Sequence, residues 1–130
     1  MKVLEKEIIV SKNDLDELNH VNNITYVNWI LEIAKMHWRT LASNEILANY
    51  HWVLLEHQIK YLYPALLNDR IKIKTYIKET KEIKSSRIVH IYNNDTDKLL
   101  VTSKTIWCLI SSKSGKPTRI TNEIKEAFKK

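Results

Sequence analysis

Apolar and polar positions alternate along residues 3–10, and this period of two predicts a first β-strand. The pattern changes abruptly at Ile24. From about residue 23 to about residue 42, Ile24, Val27, Ile30, Leu31, Ile33, Ala34, Trp38 and Leu41 leave only one narrow polar stripe, made by Asn28, Glu32, Lys35 and Arg39 at helical spacing. A helix apolar over most of its circumference must be covered on several sides, which predicts a central helix wrapped by a curved sheet. From His51 onward the period returns to two. Residues 52–63 read as an apolar-rich strand, and Ile71, Ile73, Thr75 and Ile77 alternate with Lys72, Lys74, Tyr76 and Lys78 in the next. Residues 87–92 give a further strand, followed by the polar turn Asn93-Asn94-Asp95-Thr96-Asp97. A long strand over residues 99–110 takes in Trp107 and Cys108, and Ser114-Gly115-Lys116-Pro117 ends it. Thr121 then caps a short basic helix running to residue 130. One early helix followed by four consecutive strands predicts an α+β domain with a mainly antiparallel sheet.

Composition narrows the class. With 130 residues the chain is expected to form one domain, residues 1–130, and it is long enough for a real core. No apolar run reaches membrane-spanning length and the N-terminus lacks a signal-peptide pattern, so the expected location is the cytoplasm. A single cysteine, Cys108, agrees with a reducing compartment. The net charge of +6 favours anionic ligands, but Lys and Arg are scattered rather than blocked. One glycine, Gly115, rules out phosphate loops and dinucleotide fingerprints. The chain has no Gly-x-Ser-x-Gly elbow. His51 and His57 are expected to share a strand face, but no Cys or carboxylate cluster completes a metal site, and none is expected.

The chemistry concentrates between the first strand and the helix. Residues 14–23, Asp-Leu-Asp-Glu-Leu-Asn-His-Val-Asn-Asn, set carboxylates, a histidine and amides immediately before a buried element. Asn22 and Asn23 are good N-caps, because their side chains accept from the orphan amides of a first helical turn. The positive end of the helix then sits among Asp16, His20 and Asn23, where negative charge is stabilised. Asp16 has two readings, a reacting carboxylate or an Asx turn that shapes the loop; Asp14 looks more like a turn-former. His20 either polarises a carbonyl and orients Asp16 or packs the turn.

The pattern Asp14-x-Asp16-x-x-x-His20-Val21-Asn22-Asn23-x-x-Tyr26-x-x-Trp29-x-x-Glu32 resembles the hot-dog-fold thioesterases, both those like 4-hydroxybenzoyl-CoA thioesterase and the plant acyl-ACP thioesterases. Ile59-Lys60-Tyr61-Leu62-Tyr63-Pro64-Ala65 with Asn68-Asp69, and Ser85-Ser86-Arg87, extend the likeness downstream. The resemblance implies an antiparallel sheet of about five strands curled around one long helix, a homodimer or dimer of dimers, and active sites at the interface beside the helix N-terminus. It implies an acyl thioesterase in which Asp16 attacks the thioester or activates water and the Asn23 N–H, or a first-turn neighbour, receives the oxyanion, with His20 assisting. Asn22, Tyr26, Trp29 and Tyr61 are candidates to contact the acyl group, although aromatics at these spacings also suit plain core. Arg87, with Lys84 and Arg119 as weaker choices, would meet the phosphates of coenzyme A at the rim, or be a sheet-face charge. No metal or organic cofactor is implied; coenzyme A or acyl carrier protein enters as part of the substrate. The plant arrangement is not complete, since Leu18 stands where those enzymes have Asn and Pro64 falls near their later acidic residue.

Two rivals stand beside this reading. An enoyl-CoA hydratase or dehydratase on the same fold also uses an Asp/His pair, but the close Asp16–His20 spacing and the Val-Asn-Asn continuation argue against it. A non-catalytic module is the other, holding acyl chains or gripping nucleic acid through its four Trp and positive charge. Trp29, Trp38 and Trp107 lie on patterns that predict burial, so neither a nucleic acid nor a membrane is expected as partner.

Overall fold

The first alternating segment forms β1 (Val3–Ile9), and in this computed structural model, which describes residues 1–129, a short 3-10 turn (Lys12–Asp14) leads from it into the polar loop. The apolar helix follows as α1 (Asn23–Leu41) and a one-and-a-half-turn helix as α2 (Asn44–Asn49). Four strands complete the sheet: β2 (Tyr50–Tyr61), β3 (Arg70–Lys81), β4 (Lys84–Asn93) and β5 (Leu99–Ser111). The chain closes with α3 (Asn122–Lys129); the expected extension of this helix to residue 130 lies outside the described residues.

All neighbouring strands are antiparallel, in the spatial order β1-β3-β4-β5-β2. The first strand after the helix is therefore an edge, and α1 crosses the concave face of the sheet. Strand alternation sends Ile71, Ile73 and Thr75 from β3, and Val89 and Ile91 from β4, under the helix, where each is buried. Ile30 and Ile33 of α1 meet them. The opposite face carries the lysines of β3, of which Lys72 and Lys74 reach Asp97 and Glu5. Among the described residues no helix is long and apolar enough to cross a membrane.

Several expectations change in detail. The segment Asn44–Asn49 is helical because Ser43 caps it, its hydroxyl accepting from the Ile46 N–H at 3.2 Å. The strand expected over 52–63 starts at Tyr50 and stops at Tyr61, since the amides of Leu62 and Tyr63 both turn to the Leu100 carbonyl. His51 and His57 do not share one strand face: a bulge between Leu54 and Glu56 shifts the phase, so His57 faces inward to Ser103 while His51 bonds to Ser112. Glu32, Lys35 and Arg39, by contrast, are exposed, in keeping with the polar stripe. Finally, two apolar positions of α1 lie in the open beside its polar stripe: Ile24 is 69% exposed and Met36 39%.

Candidate active site

The loop between β1 and α1 is built by its own side chains. Asp14 Oδ2 accepts from the amide and the hydroxyl of Ser11, closing the 3-10 turn. Asp16 Oδ1 accepts from the amides of Leu18 at 2.9 Å and His20 at 3.2 Å, and the Asp16 N–H donates to the His20 carbonyl. Asn19 takes a positive φ of 62°, a conformation that Asn tolerates better than most residues, and this reverses the chain. The loop then docks on the segment after β2, as the Val21 N–H donates to the Ala65 carbonyl and His20 bridges Leu66.

Asn22 is the N-cap of α1, with Oδ1 accepting from the Ile24 N–H at 2.9 Å. The amides of Thr25 and Tyr26 both donate to the Asn22 carbonyl. Of the first four helical amides, that leaves the Asn23 N–H without an acceptor among the described residues. It stands at the positive end of a helix of 19 residues.

Asp16, His20 and Asn23 line one cavity of about 250 Å³ with Tyr26 and Tyr61, closed on the far side by residues 62–64. The structure thus brings together the three candidates for chemistry and two of the expected acyl contacts. Asp16 serves the turn through Oδ1 alone; Oδ2 has no hydrogen bond among the described residues. The turn-forming and reacting readings of this carboxylate are therefore compatible. Tyr26 is 3% exposed, and its hydroxyl oxygen accepts from the Ala65 N–H at 2.9 Å, pinning the cavity wall. Burial raises the Tyr26 hydroxyl above the ordinary tyrosine range, and does the same for Tyr61, so both stay protonated at neutral pH.

Other candidates lie elsewhere. Asn22 is not on the lining, because its side-chain oxygen is committed to the cap. Trp29 packs edge-on against Tyr26 at 5.6 Å and joins the core instead. Arg87 is not at a rim. The alternation of β4 turns it inward, where it is 4% exposed, and its Nη1 donates to Thr75 Oγ1 at 2.9 Å and to His37 Nδ1 at 2.8 Å. Lys84 and Arg119 are exposed, away from the lining of this cavity.

A second, larger cavity of about 470 Å³ lies farther along the seam between α1 and β2. Leu31 and Trp38 of α1, Trp52 and Leu54 of β2, Trp107 of β5 and Phe128 of α3 supply its apolar walls, while Ser85 and Arg87 supply a buried polar one and Lys35 and His51 add polar groups from the surface. Its signal in the sequence is the pair of polar inward positions Ser85 and Arg87 on β4, visible only once strand phase is known. No group of three or more His, Cys, Asp or Glu able to hold a metal occurs among the described residues.

The acyl-ACP thioesterase N-terminal domain matches residues 1–128 of this chain. No curated protein gives a match. Among solved structures, a 1,4-dihydroxy-2-naphthoyl-CoA thioesterase from Synechocystis is 16% identical with a TM-score of 0.83, covering 98% of this chain and 96% of its own. A probable thioesterase from Escherichia coli is 22% identical with a TM-score of 0.82, covering 95% and 94%. The 12:0-ACP thioesterase from Umbellularia californica is 13% identical with a TM-score of 0.84, and covers 97% of this chain but 50% of its own. At these identities the likeness is one of fold, and the fold is the hot-dog. The family match spans nearly the whole sequence, and the chain belongs to the acyl-ACP thioesterase N-terminal domain family.

Proposed function

We propose, from membership of that family, that the chain hydrolyses an acyl thioester of coenzyme A or acyl carrier protein to a free acid and a thiol. One observation carries the reading. Asp16, whose Oδ2 is unengaged, and Asn23, whose N–H at the helix N-terminus has no acceptor among the described residues, line the same cavity. Hydrolysis needs a group that brings an oxygen nucleophile to the carbonyl carbon and a donor for the oxygen that becomes negative. Asp16 supplies the first, either by attacking directly or by taking a proton from water. The Asn23 N–H supplies the second, and a fixed backbone donor of this kind contributes about 2.7–4 kcal/mol to the transition state. As the tetrahedral intermediate collapses, the C–S bond breaks and the thiolate leaves, taking up a proton from solvent or from His20. When a carboxyl anhydride has formed, water cleaves it and regenerates Asp16.

His20 is exposed at the mouth of the cavity, a position suited to proton exchange with solvent. The reaction requires neither metal nor organic cofactor. The exposed apolar positions Ile24 and Met36 of α1 and the edge strand β2 fit a homodimer or a dimer of dimers. The proposed location is the cytoplasm, where acyl-CoA and acyl-ACP are found. The test is thiol release from acyl-CoA and acyl-ACP panels by the wild type and Asp16→Asn in parallel. Turnover that collapses in the variant supports the mechanism, and equal turnover by both proteins rejects Asp16 as the reacting carboxylate.

A further inference from the structure

Arg87 is a buried cation without a buried anion. Its two hydrogen-bond partners, Thr75 Oγ1 and His37 Nδ1, are both neutral, and both are held by Nη1. Because a guanidinium can only donate, His37 accepts at Nδ1 and carries its proton on Nε2. Burial and the neighbouring Arg87 charge push His37 down to about 4, which agrees with a neutral ring. The ion pairs among the described residues involve Arg70, Lys72, Lys74 and Lys129, all at the surface; none involves Arg87. Nε and Nη2 of Arg87 make no hydrogen bond among the described residues. Beside it on β4, Ser85 is 3% exposed, and its Oγ is the one buried side-chain polar atom without a partner among the described residues. Both residues belong to the wall of the larger cavity, whose remaining surface is largely aromatic and aliphatic, with the exposed Lys35 and His51 its other polar members.

Buried hydroxyls are normally satisfied, and an unpartnered one beside a cation that still has unused donors, on the wall of a largely apolar space, marks a place where a ligand supplies the missing partners. A guanidinium fork matches a carboxylate through two parallel N–H···O bonds. We propose that the larger cavity receives the far end of the acyl group and that Arg87, assisted by Ser85, recognises a carboxylate there, so that the preferred substrates are thioesters of dicarboxylic acids. This rests on the thioesterase reading and names its substrate class. The two cavities lie along one seam: Tyr61 of β2 lines the first, and Trp52 and Leu54 of the same strand line the second. An α-helix rises about 1.5 Å per residue, so Asn23 and His37 stand about 21 Å apart along α1. A carboxylate at Arg87 therefore belongs to a long chain, and the three tryptophans suit its methylene body.

The test compares the non-hydrolysable thioether analogues of hexadecanedioyl-CoA and palmitoyl-CoA as ligands, and the two thioesters as substrates, on wild type, Arg87→Met and Ser85→Ala. The palmitoyl compounds end in a methyl group where the dicarboxylic ones carry a charge. The wild type is expected to prefer the dicarboxylic partner in binding and in kcat/KM by on the order of tenfold, the scale of one charge-assisted hydrogen bond. Arg87→Met is expected to abolish that preference by selectively weakening the dicarboxylic analogue, and Ser85→Ala to reduce it. Equal binding of the two analogues by the wild type, or equal weakening of both by Arg87→Met, overturns the proposal. Should Arg87→Met fail to fold, Ser85→Ala decides alone, and an unchanged preference in it overturns the proposal. Binding of the thioethers does not depend on hydrolysis. Selective binding of the dicarboxylic analogue without turnover would thus reject the thioesterase reading and keep the carboxylate site, whereas turnover without selectivity would do the reverse.

Discussion

The two ends of the α1 seam are both polar, and they are made in opposite ways. At the helix N-terminus the polar groups are neighbours in sequence: Asp16 bonds to Leu18 and His20, and Asn22 to Ile24. At the far end they come together only through the fold, since Arg87 meets Thr75 across β3 and β4 and His37 from a helix fifty positions earlier. The first cluster is half exposed and keeps a carboxylate oxygen and an amide free. The second is buried and keeps a cation and a hydroxyl free. Local polar clusters in a loop can afford exposure and motion. A long-range cluster in a core persists only if packing and hydrogen bonds hold every member in place.

The largest effect expected from breaking this contrast is at Asp16. Asp16→Asn retains Oδ1, the oxygen that shapes the turn, and removes the charge of Oδ2. Stability should therefore change little, while kcat/KM falls by about 10²–10⁴-fold, or ~3–5 kcal/mol of transition-state stabilisation. Steady-state thiol release together with a urea unfolding curve checks both halves. A variant that loses stability along with activity would make Asp16 a loop-builder first.

At the buried end the corresponding lever is pH. His37 binds its proton at about 4 in the folded chain, against 6.5 in the unfolded one. Between these values the unfolded chain holds more protons, so stability is full above about 6.5 and is lost as pH falls toward 4. The loss attributable to His37 is about 1–3 kcal/mol. His57 and His90 are also lowered, mainly by burial, and act in the same direction. The measurement is therefore differential. His37→Gln keeps an acceptor for Arg87, and its unfolding free energy should fall less between neutral and mildly acidic pH than that of the wild type.

Thr75→Val is the next smaller test. It preserves shape and removes the hydroxyl that accepts from Arg87 at 2.9 Å and donates to the Ile88 carbonyl at 2.8 Å. Leaving that donor short of a partner should cost about 1–3 kcal/mol of stability, read from chemical denaturation. A cost near zero would mean that Arg87 is free to turn into the cavity, and would weaken the case for a fixed carboxylate clamp.

The same contrast explains what was legible in the sequence. The order of elements, the antiparallel sheet and the polar loop follow from local periodicity and from the density of polar residues between 14 and 23. Asp16, His20, Asn23, Tyr26 and Tyr61 line one cavity, because the loop and the segment after β2 are each short and pinned by backbone hydrogen bonds. Arg87 was misplaced because the motif gave its neighbours but not its strand phase; inward and outward positions on β4 differ by one residue. The bulge at Leu54/Glu56 had the same effect on His51 and His57. Ser43 ahead of Glu45 and Ile46 did carry a capping signal for α2, although a helix of six residues is too short to show a period.

The smallest effect expected is at Asn22, where the cap and the proposed oxyanion donor are adjacent. Asn22→Ala removes the acceptor for the Ile24 N–H and should destabilise the chain by about 1 kcal/mol; Asn22→Ser, an equally good cap, should restore most of it. Activity discriminates further. The Asn23 N–H is part of the backbone and survives both substitutions, so its direction depends on how firmly the first turn is held. If the cap positions it, kcat falls in Asn22→Ala and recovers in Asn22→Ser, with KM nearly constant, because oxyanion stabilisation acts on the transition state rather than on the bound thioester. A KM that rises while kcat holds would instead assign Asn22 to substrate binding, even though its side chain caps the helix and is absent from the cavity lining.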